Sequence, residues 1–174
     1  MALIKSVKGI LPIMGSNCFL ADNATITGDV VMGDNCSVWF NAVVRGDVHT
    51  IRIGDNVNIQ DGAIIHCTYQ KAPVSIGNNV SIAHKAIIHG CTIHDNVLIG
   101  MGAIVMDGAV IHSNSIVGAG ALVTEGTVVE SGTVWAGLPA RKIKDIDQAL
   151  LEGQVNRISK NYTMYASWYN HEEI

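Results

Sequence analysis

The sequence predicts an all-β solenoid of about seven short coils, followed by a C-terminal α-helix. Three observations predict it. Aliphatic residues recur every six positions over most of the chain. Gly, Asn and Asp follow many of them, as in MGDN at 32–35, IGDN at 53–56 and IGNN at 76–79. The core must also be aliphatic, because 48% of the 174 residues are hydrophobic but only 5% are aromatic. A helix repeats its apolar face near every 3.6 residues, so a period of six excludes an amphipathic helix. Six residues fit a short strand plus a corner, and Gly and Asn supply the positive φ that a corner needs. Three such units close a triangular coil, and stacked coils pair as parallel strands about 4.8 Å apart.

The first run of aliphatics is Leu20, Ile26, Met32, Val38 and Val44. Ile53, Ile59 and Ile65 form the second, and Ile76, Ile82 and Ile88 the third. The last runs from Ile93 through Ile99, Val105, Ile111, Val117, Val123 and Val129 to Trp135. Grouped in threes, the coils start near Met14, Met32, Ile53, Ile76, Ile93, Ile111 and Val129. Three extra residues interrupt the step between Val44 and Ile53, and five extra, around Thr68–Pro73, make a loop before Ile76. Insertions in a repeat protein tend to lie on functional faces. This pattern resembles the hexapeptide-repeat, left-handed parallel β-helix, and the left hand is taken from that resemblance. The expected boundaries are residues 1–140 for the β-helix and 141–174 for a C-terminal segment whose helix packs on it. Asp145 is the expected N-cap, and Leu151, Val155, Ile158, Tyr162, Tyr165 and Tyr169 form one apolar helical stripe.

Composition narrows the function. The formal net charge is −4 and the pI about 5.9, so there is no basic footprint for nucleic acid or an anionic membrane. No apolar run approaches the roughly 18 residues of a membrane span. The N-terminus, MALIKSVKGILPIMG, lacks the apolar stretch and cleavage site of a signal peptide and reads as mature. Cys18, Cys36, Cys67 and Cys91 form no C-x-x-C pair, which fits free thiols in a reducing cytoplasm.

The columns of the coil point to a metal site. His66 follows Ile65 and His89 follows Ile88, so the two stack in adjacent coils on the third side, facing outward. Arg45 follows Val44 in the same column. His84 and Asp61 share a column on the second side. Two imidazoles about 5 Å apart can share a metal with bonds near 2.1 Å. A third on another side reaches the same ion only if a neighbouring prism presents it, which three-fold packing does at every interface. His94 and His112 also stack, on the first side, but without a third histidine; they read as corner or surface residues.

The motifs VRGD at 44–47, IQDG at 59–62 and AHKAIIHG at 83–90, with His66 between, make the chain similar to the gamma-class carbonic anhydrases. That resemblance spans nearly the whole chain. It implies a homotrimer that hydrates CO2 reversibly to bicarbonate, with a divalent metal between subunits: Zn2+, with Fe2+ or Co2+ equally suited to the ligands. The ligands it implies are His66 and His89 from one subunit and His84 from the next. Arg45, Asp47 and Asp61 match an interface ion network, and Gln60 matches the residue beside the reacting water. The chain departs from the family where acidic residues serve proton transfer, holding Val48 and Tyr69 instead. His49 is the candidate substitute shuttle, and Tyr69, Tyr162 and Tyr165 are candidates for hydroxyls at the site rim. Two alternatives stand beside this reading: acyl-CoA chemistry, as a thioesterase or acyltransferase, and a non-catalytic metal-stabilised trimeric scaffold.

Overall fold

The computed structural model describes residues 1–169; residues 170–174, the end of the C-terminal segment, lie outside the described residues. The period of six becomes a left-handed parallel β-helix of about seven coils. Its three inward columns are the ones that the repeat names. On the first side Met14, Met32, Ile53, Ile76, Ile93, Ile111 and Val129 stand in register, each paired with the next. The second side runs from Leu20 through Val38, Ile59, Ile82, Ile99 and Val117 to Trp135. The third runs from Ile26 through Val44, Ile65, Ile88 and Val105 to Val123. Branched aliphatics suit this position, since their stiff χ1 and high β propensity fit a pleated wall. Ile26, Ile59, Ile65, Ile82, Ile88 and Ile99 are fully buried.

The corners follow the local chemistry. Asn35, Asn56, Asn79, Asn96 and Asn114 all take φ between 55° and 59°. They stack coil on coil, and Asn79 and Asn96 each donate a side-chain N–H to the next amide oxygen along the ladder. Thr25–Met32 and Val43–Ile53 are long strands that turn a corner and join the first and third sides in one sheet. Their register shifts where Gly28 pairs Gly46 but Val30 pairs Ile51. The insertion is therefore a bulge at Asp47–Thr50, which lifts Asp47 and His49 out of the ladder beside the histidine column.

The C-terminal segment differs from expectation in two ways. Ala140–Asp145 is a strand, antiparallel to Thr133–Gly137 across a turn with a cis Leu138–Pro139 bond. It covers the edge of the last coil, which would otherwise expose unpaired backbone groups. The N-cap is accordingly Asp147, not Asp145: its side chain accepts from the Leu150 N–H at 2.7 Å. The helix runs through Gln148–Leu150, a π-helical stretch Leu151–Asn156 and Arg157–Tyr169. The expected stripe packs on the second side: Val155 is buried, and Leu151, Ile158, Tyr162 and Tyr165 are half-buried. Ser159 donates to the Asn56 carbonyl at 3.1 Å, tying the helix to a corner. No helix among the described residues is long and apolar enough to cross a membrane.

Candidate metal centre

Strand pairing fixes the two third-side histidines. His66 and His89 are register partners in Ile64–His66 and Ile87–His89. Their ring centroids lie 5.2 Å apart and the planes are tilted by 56°. That tilt brings His66 Nδ1 to 3.1 Å from His89 Nε2. Two ring nitrogens facing each other at this distance match one edge of a coordination shell with bonds of about 2.1 Å. His94 and His112 form the contrast: their rings lie 5.1 Å apart but parallel within 4°, face on face.

The outward nitrogens of the pair are each held by a carboxylate. His66 Nε2 lies 3.1 Å from Asp47 Oδ1, and Arg45 Nη1 lies 2.6 Å from Asp47 Oδ2. Asp47 thus bridges Arg45 and His66 within one chain. Burial alone would raise the Asp47 carboxyl, but the bonds from Arg45 and His66 outweigh it and hold the group below its ordinary range. Burial also lowers His66 from its ordinary value, aided by the Arg45 charge. Both effects outweigh the opposing pull of Asp47 and favour the neutral ring, the form in which an imidazole binds a metal.

His89 Nδ1 lies 2.5 Å from Asp107 Oδ1, and the Thr68 hydroxyl donates to the other Asp107 oxygen. Burial would raise Asp107, but these two bonds leave it lowered overall. The sequence marks Thr68 only as the start of the inserted loop and assigns neither it nor Asp107 to the site. The signal was present, since Asp107 stands two residues after Val105, the same offset that places Asp61 after Ile59. Thr68 gives the five-residue insertion a task, anchoring the carboxylate that holds His89.

His84 stands on the second side, as the columns require, with Asp61 Oδ2 at 3.0 Å from its Nδ1. Its Nε2 faces the Tyr162 hydroxyl at 3.3 Å. Burial pushes the Tyr162 hydroxyl up to about 12, with help from the Asp61 charge and Tyr165. Gln60 is buried; its Oε1 accepts from the His84 N–H at 3.2 Å and its Nε2 donates to Asn58 Oδ1 at 2.9 Å. Asn58 in turn donates to Ser81 at 2.8 Å. Asn58 precedes the inward Ile59 and so takes an outward strand position, which carries no motif of its own. His84 and Gln60 border an apolar cavity of about 350 Å³ walled by Leu98, Met101, Ile116 and Ile158.

Within one chain His84 does not join the other two: among the described residues no three His, Cys, Asp or Glu side chains converge as a metal-holding group. His49 sits in the bulge, lining a hollow with Asp47 and Val48. Its Nδ1 accepts the Thr50 N–H at 2.8 Å. Tyr69 is exposed in the loop, with Lys8 Nζ 5.7 Å from its ring centroid, and Tyr165 packs against Tyr162 and Trp168.

Coil, corner asparagines and outward histidine pair together define a hexapeptide-repeat protein. Consistent with this, the family described as bacterial transferase hexapeptide (six repeats) matches residues 12–46 and 90–125. A carbonic anhydrase of Geobacillus kaustophilus is 38% identical over 96% of this chain and 91% of its own length. Mitochondrial gamma carbonic anhydrase 1 of Arabidopsis thaliana is 40% identical over 90% of this chain and 57% of its own. A solved Bacillus cereus structure, named as an acetyltransferase, superimposes with a TM-score of 0.92 at 38% identity, covering 97% of this chain and 96% of that one. The chain belongs to the gamma-class carbonic anhydrase-like family of hexapeptide-repeat proteins.

Proposed function

We propose that the protein is a homotrimeric gamma-class carbonic anhydrase holding one divalent metal, Zn2+, Fe2+ or Co2+, at each subunit interface. The ligands are His66 and His89 of one subunit and His84 of the next. The observation that carries this reading is shared by all three histidines: each has one ring nitrogen on a carboxylate, Asp47, Asp107 or Asp61. Such pairing fixes the tautomer and raises the basicity of the other nitrogen, the usual support of a metal-bound imidazole. The donor set therefore fits a borderline divalent cation. Self-association is supported by the surface beside the histidines. Val43, Ile64, Ile87, Ile104 and Leu122 form an outward apolar ladder on the third side, with Ile64 41% exposed. A flat apolar face of this kind suits a second copy of the chain.

Bound there, the cation would lower the pKa of water to about 7 and so make a nucleophile available at neutral pH. The rest is done by the protein. Asp47, Asp107 and Asp61 hold protons at His66 Nε2, His89 Nδ1 and His84 Nδ1. Gln60, clamped between the His84 backbone and Asn58, orients His84 and offers an amide to bicarbonate. The apolar cavity beside His84 keeps water away from CO2. Arg45 neutralises Asp47 and reaches toward the interface. His49 is poorly placed to relay protons, since its acceptor nitrogen Nδ1 is engaged by Thr50 and protonation there would break that bond. Proton export therefore falls to buffer. The four free cysteines fit a reducing compartment, and we place the protein in the cytoplasm.

A second reading, acyl transfer or thioester hydrolysis, is favoured by the acetyltransferase-named structural relative and by a cavity far larger than CO2 needs. Stopped-flow CO2 hydration by metal-restored protein, run beside an acyl-CoA panel, separates the readings. The expected result is hydration that rises with imidazole buffer in kcat while kcat/KM stays flat. Acyl-CoA turnover without CO2 hydration would replace the proposal, and metal binding with neither activity would leave a scaffold.

A further inference from the structure

The chain is poor in aromatics, yet seven of its nine Phe, Trp and Tyr residues gather in one place. Phe19, Trp39 and Phe40 come from the second side, and Tyr162, Tyr165, Trp168 and Tyr169 from the helix. Packing a helix on a β-helix needs nothing so concentrated: above the cluster, the cavity between helix and coils is walled by aliphatics. Six of the seven line an open hollow of about 260 Å³ whose remaining wall residue is Asp61. Trp168 and Tyr169, 59% and 45% exposed, stand at its edge.

We propose that this hollow binds a small quaternary ammonium compound, with the cation against the aromatic rings and the Asp61 carboxylate. Aromatic rings attract cations through their quadrupole, and quaternary ammonium ions are the ligands most suited to a group of several rings. The polar groups of the lining argue for methylation. Asp61 already serves His84, the Tyr162 hydroxyl faces His84 Nε2, and the Tyr165 hydroxyl accepts from Asn161 at 3.4 Å. A guanidinium or primary ammonium brings several N–H donors that need acceptors of their own. A quaternary ammonium carries no N–H at all, so its cationic head is bound without leaving donors unpaired. The volume is below the roughly 300 Å³ at which drug-sized sites begin, which fits a compound the size of choline. Through Tyr162 and Asp61 the ligand would sit beside His84, yet its binding requires no metal and does not depend on the carbonic anhydrase reading.

The test is calorimetric titration of the metal-free full chain with choline chloride and with 3,3-dimethylbutan-1-ol. This alcohol is the neutral isostere, carrying carbon in place of nitrogen. Sodium chloride holds ionic strength constant. Saturable choline binding at least about tenfold tighter than the isostere is the expected result. Trp168→Ala, at an exposed ring, should weaken choline by about 2–5-fold, the range that one cation–aromatic contact supplies at an exposed site. Its melting curve reports whether the fold is intact. Asp61→Asn should weaken choline but not the isostere. Equal binding of choline and isostere would reduce the hollow to a plain apolar pocket and overturn the proposal. Absence of saturable binding, or a folded Trp168→Ala chain that binds choline normally, would each overturn it as well.

Discussion

Replacing Asp107 by Asn changes one oxygen to an amide nitrogen and keeps the shape. It removes the charge that holds His89 Nδ1 at 2.5 Å and that accepts the Thr68 hydroxyl. Both side chains are largely shielded, Asp107 at 18% and His89 at 35% exposure, so solvent screens the bond only in part. A hydrogen bond to a charged group is worth about 1.5–3 kcal/mol. Loss of an outer carboxylate typically costs a metal site 10–100-fold in affinity, or about 1.4–2.7 kcal/mol. The two routes agree, and Asp107→Asn is expected to weaken metal binding about 30-fold, measured by competition with a chromogenic chelator. The pH dependence of folding supplies a second arm. Asp107 titrates below its ordinary value in the folded chain, so its stabilisation is complete above the ordinary carboxylate pKa of about 3.9 and is lost as pH falls through the lowered value. The stability gap between wild type and variant should therefore be constant near neutrality and close below about pH 4. Unchanged metal affinity, or a gap that persists undiminished at pH 2, would refute the assignment.

Three further outcomes are expected. The His94→Ala, His112→Ala double variant should keep full metal content by elemental analysis, since those rings stack face to face and do not converge. Cys18 should be the thiol alkylated first by iodoacetamide, with a rate that climbs through about pH 7: pairing with the Cys36 thiol in the next coil lowers it, whereas pairing and burial push Cys36 up. Mass mapping that finds Cys36 or Cys91 modified first would contradict this. Gly33→Ala should cost about 1–3 kcal/mol in urea unfolding, because a Cβ there would meet the Gly54 carbonyl carbon at 2.8 Å and its oxygen at 2.9 Å.

Much of this molecule was legible because a period of six admits few folds. Once the aliphatic columns were aligned, every inward residue and the outward pair His66 and His89 had an address, and strand pairing places them there. The second-side pair His84 and Asp61 followed from the same bookkeeping. What remained hidden depends on side-chain direction. The offset of Asp107 from Val105 gives its side of the coil, but not its contact with His89 in the preceding coil, which depends on the direction of the side chain. Asn58 faces the buried polar ladder under Gln60 although its place is that of an ordinary strand residue. At the C-terminus, Asp145 and Asp147 are both acceptable caps by type. The reversal at Pro139, which makes Ala140–Asp145 a strand, decides between them through the unpaired edge of the last coil. Gathering the aromatics around Asp61 likewise required the helix to be docked before the hollow existed.

The claim on which the account rests is that the metal is shared, with His66 and His89 from one chain and His84 from its neighbour. Its most direct measurement is the metal content of purified mixed trimers assembled from His66→Ala and His84→Ala chains. Each variant alone should hold no metal. A ring of three has one direction, so every mixed trimer contains a single interface at which a His84→Ala chain offers His66 and His89 to a His66→Ala chain that offers His84. One metal per mixed trimer is the expected result, with none in a mixture of His66→Ala and His89→Ala. No recovery in the first mixture, or recovery in the second, would contradict the shared site.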